Sequence, residues 1–208
     1  MFGFSFAVSF GAVVSPGPVS AAIITEAPRQ GWRVGPLVAF GHALLELLMV
    51  LLISFGLAAV LAAPGPRVAI ALGGGLMLLV LGAGYLYGAW RGILRLPEPD
   101  RQAPRRSSAA LFGLGLLTTL SNPFWYAWWV TVAAGYLMQA HALGPAGVVT
   151  FYLAHESADF SWDTLLAAAT STGRRWLTPR RYRTLVVITG GFMIYFGLVF
   201  IRSAFPAT

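Results

Sequence analysis

Apolar residues run along this chain in long unbroken stretches, and polar residues are confined to the gaps between them. A helix rising about 1.5 Å per residue needs about 20 apolar residues to cross a bilayer. Six stretches reach that length: residues 2–25, 35–63, 68–90, 109–138, 145–171 and 184–202. The pattern predicts an all-α integral membrane protein with six transmembrane helices.

Two of the stretches carry helix breakers. Ser15-Pro16-Gly17-Pro18 interrupts the first and Ser121-Asn122-Pro123 the fourth. Proline within a span removes a backbone donor and frees a carbonyl one turn back. At membrane depth such groups are tolerated inside protein or beside a water-filled cavity. A bland reading is a simple kink, which becomes harder to hold when two breaks occupy matching places.

The chain reads as two halves, residues 1–91 and 109–208, joined by a linker over 92–108 whose Pro97, Pro99 and Pro104 forbid a continuous helix. The second span of each half carries a histidine with a carboxylate four residues on, His42 with Glu46 and His155 with Asp159. The third span of each carries a glycine pair and a methionine, Gly74-Gly75-Leu76-Met77 and Gly190-Gly191-Phe192-Met193. Three spans is an odd number, so the second half enters the membrane in the opposite sense. That is a 3+3 inverted-topology repeat with broken helices 1 and 4, an arrangement that places a transporter's substrate site at the repeat interface near the midplane.

Composition and charge agree with this reading. Hydrophobic residues make up 57% and charged residues 10% of the chain, against about a quarter charged in soluble domains. All fourteen basic residues are arginine, and twelve of them fall in the first, third and fifth gaps. The positive-inside rule predicts cytoplasmic loops at 26–34, 91–108 and 172–183, with both termini outside. Arginines in short breaks point to anionic lipid at those loops rather than to nucleic acid. No basic stretch precedes the first apolar run and no small-residue cleavage site follows it, so that run is expected to remain as a membrane helix. Absent cysteine excludes disulfides and thiolate chemistry.

Candidate chemistry lies in the charges that break the apolar rule. A carboxylate at the depth of Glu46 costs on the order of 3 kcal/mol and needs a partner. His42 sits one turn away on the same face. Asp163 continues the His155–Asp159 stripe with a drift of about 40°, whereas Glu156 lies about 100° off it and is expected on a different surface. Histidine beside carboxylate can take up and release a proton. The same four side chains, His42, Glu46, His155 and Asp159, could hold a divalent cation, or they could simply pair with one another. His155-Glu156-Ser157-Ala158-Asp159 also resembles a zinc-protease helix with its second histidine replaced, but His42 and Glu46 lack the middle glutamate, so an intramembrane hydrolase ranks last. No cofactor fingerprint is present. Trp125, Tyr126, Trp128 and Trp129 read as an interfacial belt or packing face rather than a site.

Ser15-Pro16-Gly17-Pro18 with Gly31, Arg33, Gly35 and Gly41 downstream, and Asn122-Pro123 in the fourth span, resembles the lysine-exporter (LysE/RhtB-type) family over essentially the whole chain. The resemblance implies a small inner-membrane exporter of amino acids or related metabolites, driven by an ion gradient, with Glu46 at an acidic position of the family's second span. Phe124 stands where the family's Asn-Pro motif usually continues with lysine. His42, His155 and Asp159 fall outside the pattern of its amino-acid exporters, and the wider superfamily includes divalent-metal carriers. The expectation is therefore an alternating-access carrier with no cofactor, whose partners are a small solute, protons or another coupling ion, and the bilayer; a homodimer is left open. Ser15, Pro16, Gly17, Pro18, Ser121, Asn122 and Pro123 would form the substrate floor. His42, Glu46, His155, Asp159 and Asp163 would carry recognition and coupling.

Overall fold

The computed structural model describes residues 1–57, 64–93, 95, 104–172 and 178–205, and every regular element among them is helical. The expected linker stretch Leu96–Asp100 lies outside the described residues, as do Arg101, Arg174 and Arg175.

The first apolar stretch folds as α1 (Phe2–Val13) and α2 (Pro18–Gln30), bent by 76° at the Ser15–Gly17 break. Pro18 takes the first position of α2, where a missing N–H is harmless. α2 runs on to Gln30 and ends at Gly31, whose φ of +85° suits glycine alone. Arg29, expected in a loop over 26–34, instead lies in the last turn of α2, paired with Glu26. The reason is local: a buried carboxylate and two donors within one turn satisfy one another better on a helix than in a loop.

α3 (Val34–Leu52) follows and passes into a wide turn at Ile53–Leu57, where Gly56 at φ +130° stops the helix. α4 (Pro64–Trp90) is the third long helix. The stretch 109–138, expected as one span with one break, is three pieces: α5 (Ser108–Leu120), α6 (Pro123–Trp128) and α7 (Ala134–His141), the last two joined by a π-turn at Trp129–Ala133. α8 (Pro145–Ser171) is uninterrupted, and α9 (Pro179–Ser203) begins with a Thr178 cap that accepts from the Arg181 amide. Arg180, Arg181 and Arg183 therefore sit in the first turns of a helix rather than in a loop ending at 183.

Among the described residues, Val34–Gly56, Ala71–Trp90 and Pro179–Arg202 are each long and apolar enough to cross a bilayer, and the bent α1–α2 pair makes a fourth. α8 has the length, but Glu156, Asp159 and Asp163 dilute its apolar character. α4 and α9 bury only 28% of their apolar windows. The rest, including Leu76, Val80, Ile188 and Leu198, is exposed on the single chain. The interior, by contrast, holds Glu46, His42, His155, Glu156, Asp159 and Asp163. Polar groups inside and leucines outside are the distribution a lipid solvent selects.

Close glycine contacts fix how the helices cross. α4 and α9 run antiparallel, with Gly75 against the Gly197 carbonyl and Gly82 against the Gly190 carbonyl; a Cβ added at either would stand 2.8 or 2.7 Å from that oxygen. Small residues of this kind let membrane helices approach closely without water to drive them together. α3 meets α5 at Gly41 and Gly115, and α1 packs along α8.

Near the end of α2, Glu26 is buried and accepts from Gln30 Nε2 at 2.8 Å, from Arg29, and from Arg106 Nε at 3.1 Å. Arg106 precedes α5, so this carboxylate ties the approach to α5 to the end of α2. Truncating Glu26 to alanine should cost about 1–3 kcal/mol, because it removes the buried carboxylate that accepts from Arg29, Gln30 and Arg106 together. Arg106→Ala should cost about 0–1 kcal/mol, because that side chain is half exposed and solvent screens the pair. Thermal unfolding of the two variants in detergent tests the order; equal losses would show that Glu26 does not anchor the pair.

Candidate substrate and coupling site

α3 and α8 converge, and their titratable side chains meet. His42 Nε2 lies 3.1 Å from Glu46 Oε1 and 3.6 Å from Asp159 Oδ1. His155 Nε2 lies 3.0 Å from Glu46 Oε2 and 3.6 Å from Asp159 Oδ2. Two imidazoles and two carboxylates thus form one alternating ring, with each histidine facing an acid from its own helix and one from the other.

The remaining histidine nitrogens reach across to two other helices, α5 and α1. His42 Nδ1 is 2.7 Å from Thr119 Oγ1 on α5, and His155 Nδ1 bonds Ser9 Oγ on α1. The Thr119 hydroxyl donates to the Gly115 carbonyl at 2.7 Å, so its oxygen is left to accept from His42 Nδ1–H. Nε2 is then the nitrogen that faces the acids. The His155 ring is held between Trp128 and Phe151, both nearly parallel to it at 6.3 and 6.1 Å, with Trp129 edge-on at 5.5 Å.

Of the two readings of residues 125–129, packing face or interfacial belt, the buried rings of Trp125, Trp128 and Trp129 in one core cluster fit the packing face, and two of them also reach the site. Trp125 and Trp129 donate their indole N–H groups to Glu46 Oε1 at 3.1 and 3.0 Å, and both rings are buried. Their i, i+4 spacing with Trp128 between marks one helix face, a signal present in the sequence. What it lacked was any indication that this face meets Glu46, a contact spanning 79 residues. Glu156 is a correction. It is buried beside Glu46 and Tyr152, behind the ring rather than on a separate surface, and neither carboxylate oxygen has a hydrogen-bond partner. Thr119 and Ser9 were also missed, since a hydroxyl in an apolar helix more often bonds its own backbone than a distant side chain.

A cavity of about 70 Å³ opens beside the ring, lined by His42, Glu46, His155, Asp159 and Asp163 together with Ser15, Gly17 and Asn122 from the two breaks. The breaks touch: a Cβ on Gly17 would lie 3.5 Å from Asn122 Nδ2. Pro16 faces away into a neighbouring crevice, while Pro18 and Pro123 start α2 and α6. Ser121 is exposed and donates back to the Thr118 carbonyl. The carbonyls beside the breaks are not left free, because Tyr85 donates to Pro16 O at 2.7 Å and Tyr126 to Leu120 O at 3.0 Å.

An apolar, helical, multi-pass membrane protein with ionisable groups sequestered around an internal cavity is defined by these features. Residues 10–204 match the family described as LysE type translocator, and the chain belongs to that family, which is a family of transporters. It is 28% identical over 193 residues to a Bacillus subtilis (strain 168) protein described as "Putative amino acid efflux protein YcgF", covering 88% of this chain and 87% of that one. It is also 36% identical over 114 residues to "Uncharacterized membrane protein PA4757" of Pseudomonas aeruginosa, covering 53% and 52% of the two chains. No solved structure matches.

Proposed function

We propose that this protein exports a small amino acid or related metabolite across the cytoplasmic membrane by alternating access, coupled to protons. The observation that carries the reading is the ring of His42, Glu46, His155 and Asp159, buried in an apolar protein and lining a cavity that both helix breaks adjoin. Each histidine is held by a hydroxyl of the opposite half. A relative movement of the halves would therefore change what each Nε2 faces, which links proton exchange to access.

A 3+3 inverted repeat accounts for these reciprocal contacts. α3 meets α5 as α1 meets α8, and Gly75 and Gly82 meet Gly197 and Gly190 in two-fold fashion. The pairing favours a register in which Gly75 answers to Gly190, one residue from the alignment suggested by the Gly-Gly-x-Met blocks. The halves would be residues 1–91 and 109–208. Cytoplasmic arginine-rich ends on anionic lipid and outside termini fit the charge asymmetry. The Glu26–Arg106 pair, which brings the first and third gaps to one end, is in keeping with that orientation.

Reconstitution in liposomes tests the coupling. Asp159→Asn should lower pH-gradient-driven amino-acid flux by about tenfold, the effect of losing one charge-assisted contact of about 1.5 kcal/mol. Wild-type flux at every pH would overturn the coupling role. A second reading, a divalent cation as the transported solute, is favoured by one observation: His42, Glu46 and Asp159 each offer a ligand atom, all within 4.8 Å of one another. Transport that survives both chelator and His155→Ala would eliminate it.

A further inference from the structure

The cavity beside the ring adjoins the crevice into which Pro16 faces, and the two spaces share Ser15, Gly17, Asn122 and Phe124. The ring residues of α3 and α8 line only the cavity, whereas Tyr85 of α4 and Thr189 and Met193 of α9 line only the crevice. α4 and α9 pack chiefly on each other, and α4 meets α6 and the π-turn. The four shared residues therefore stand between the ring and the α4–α9 pair, and both helix breaks supply them. Asn122 turns its Oδ1 back to accept from Phe124 N at 3.1 Å. Its Nδ2 is then the atom that meets the first break, 3.5 Å from where a Gly17 Cβ would stand. Among the described residues no hydrogen bond crosses from one break to the other. Dispersion contacts are weak one by one, so the breaks can part there without losing a bond.

What fastens the first break comes from α4. The Tyr85 hydroxyl donates to Pro16 O at 2.7 Å, satisfying a carbonyl that the interrupted helix leaves open. The second break is tied within its own segment, where Tyr126 donates to Leu120 O. In the register that answers Gly75 with Gly190, Tyr85 answers to Phe200, which has no hydroxyl. The two breaks are thus held unequally.

We infer that the seam between Gly17 and Asn122 is a gate between the ring cavity and the crevice beside α4 and α9, and that Tyr85 is the latch that keeps it shut. This rests on the alternating-access reading above and gives it a moving part. The first break swings away from Asn122 when the gate opens, and the Tyr85–Pro16 bond is the one given up. Tyr85 is a positioning residue, acting on the gate through the Pro16 carbonyl.

The chain has no cysteine, so introduced thiols report without background. The first test joins the seam: Gly17→Cys with Asn122→Cys, treated in liposomes with a short bifunctional methanethiosulfonate. Flux should be lost relative to the same variant before reaction and return on reduction. A small monofunctional methanethiosulfonate, which fills the seam without joining it, should leave most of that flux. Flux that persists after complete crosslinking, equal block by both reagents, or failure of the pair to crosslink each overturns the gate. The second test reads the latch on the purified full chain. Thr189→Cys places a thiol on the crevice side, at a position 5% exposed. Tyr85→Phe in that background should raise its labelling rate by a water-soluble methanethiosulfonate about fivefold, the shift in equilibrium from losing one neutral hydrogen bond. An unchanged rate overturns the latch. Labelling needs no solute, so it judges the latch even where liposomes carry no amino acid, an outcome that overturns the amino-acid reading alone.

Discussion

Glu46→Gln should yield a protein that folds but transports about a hundredfold more slowly. Glu46 is 1% exposed; its Oε1 accepts from Trp125 Nε1 and Trp129 Nε1, and its two oxygens face His42 Nε2 at 3.1 Å and His155 Nε2 at 3.0 Å as ion-pair partners. Glutamine keeps the shape and one oxygen, so both indoles can still find their acceptor and the α3–α6 contact is retained. Its amide places N–H donors against His155 Nε2 and removes the anion that both imidazoles share. Losing two charge-assisted contacts of about 1.5 kcal/mol each corresponds to about a hundredfold in the equilibrium that charges the site. Flux in liposomes should fall by that order, while the unfolding midpoint in detergent moves little. Glu46→Ala should behave differently, since it strands two buried indole donors and leaves the histidines without their anion. A stability loss of about 3–5 kcal/mol is expected there. Wild-type flux from Glu46→Gln would remove Glu46 from the coupling role.

The largest effect on folding is expected at the α3–α5 crossing. A Cβ on Gly115 would collide with the Val38 carbonyl, and one on Gly41 with the Phe112 carbonyl, with Leu116 N at 2.9 Å behind it. These obstacles are backbone, so no rotamer change relieves them. Gly115→Leu must separate the helices, at a cost on the order of 3 kcal/mol or more. It should also break the His42–Thr119 bond, because Thr119 lies one turn along α5 from Gly115. At Gly113, two residues away on the same helix, an added Cβ would meet nothing within 4 Å. Gly113→Ala should therefore be neutral or gain up to about 1 kcal/mol in helix propensity. The monodisperse fraction on gel filtration and the unfolding midpoint separate the two variants. A Gly115→Leu protein as stable as the parent would show that α3 and α5 do not approach this closely.

Such contacts divide what one-dimensional information holds from what it lacks. Bilayer-length hydrophobicity is a local sum, so the helical membrane character was legible in stretches such as Val34–Gly56, Ala71–Trp90 and Pro179–Arg202. Proline breaks are local too, and both appear where Pro18 and Pro123 start new helices. The i, i+4 spacing that puts His42 with Glu46 and His155 with Asp159 on single helix faces is likewise set by the helical period. Helix ends were less legible. A charged Arg29 reads as a loop residue, yet its pairing with Glu26 and the stop at Gly31 carry α2 past it.

The residues that break the hydrophobic pattern, and the helices they sit on, were determined by the sequence alone, because burying a charge in lipid is costly enough to make each exception visible. Only the tertiary structure decided that those exceptions share one cavity, that Trp125 and Trp129 serve Glu46, and that Glu156 lies behind the ring. Those contacts join residues far apart in the chain, and their geometry follows from how closely glycines such as Gly41 and Gly115 let the helices approach. That is a property of paired surfaces, which no single helix carries.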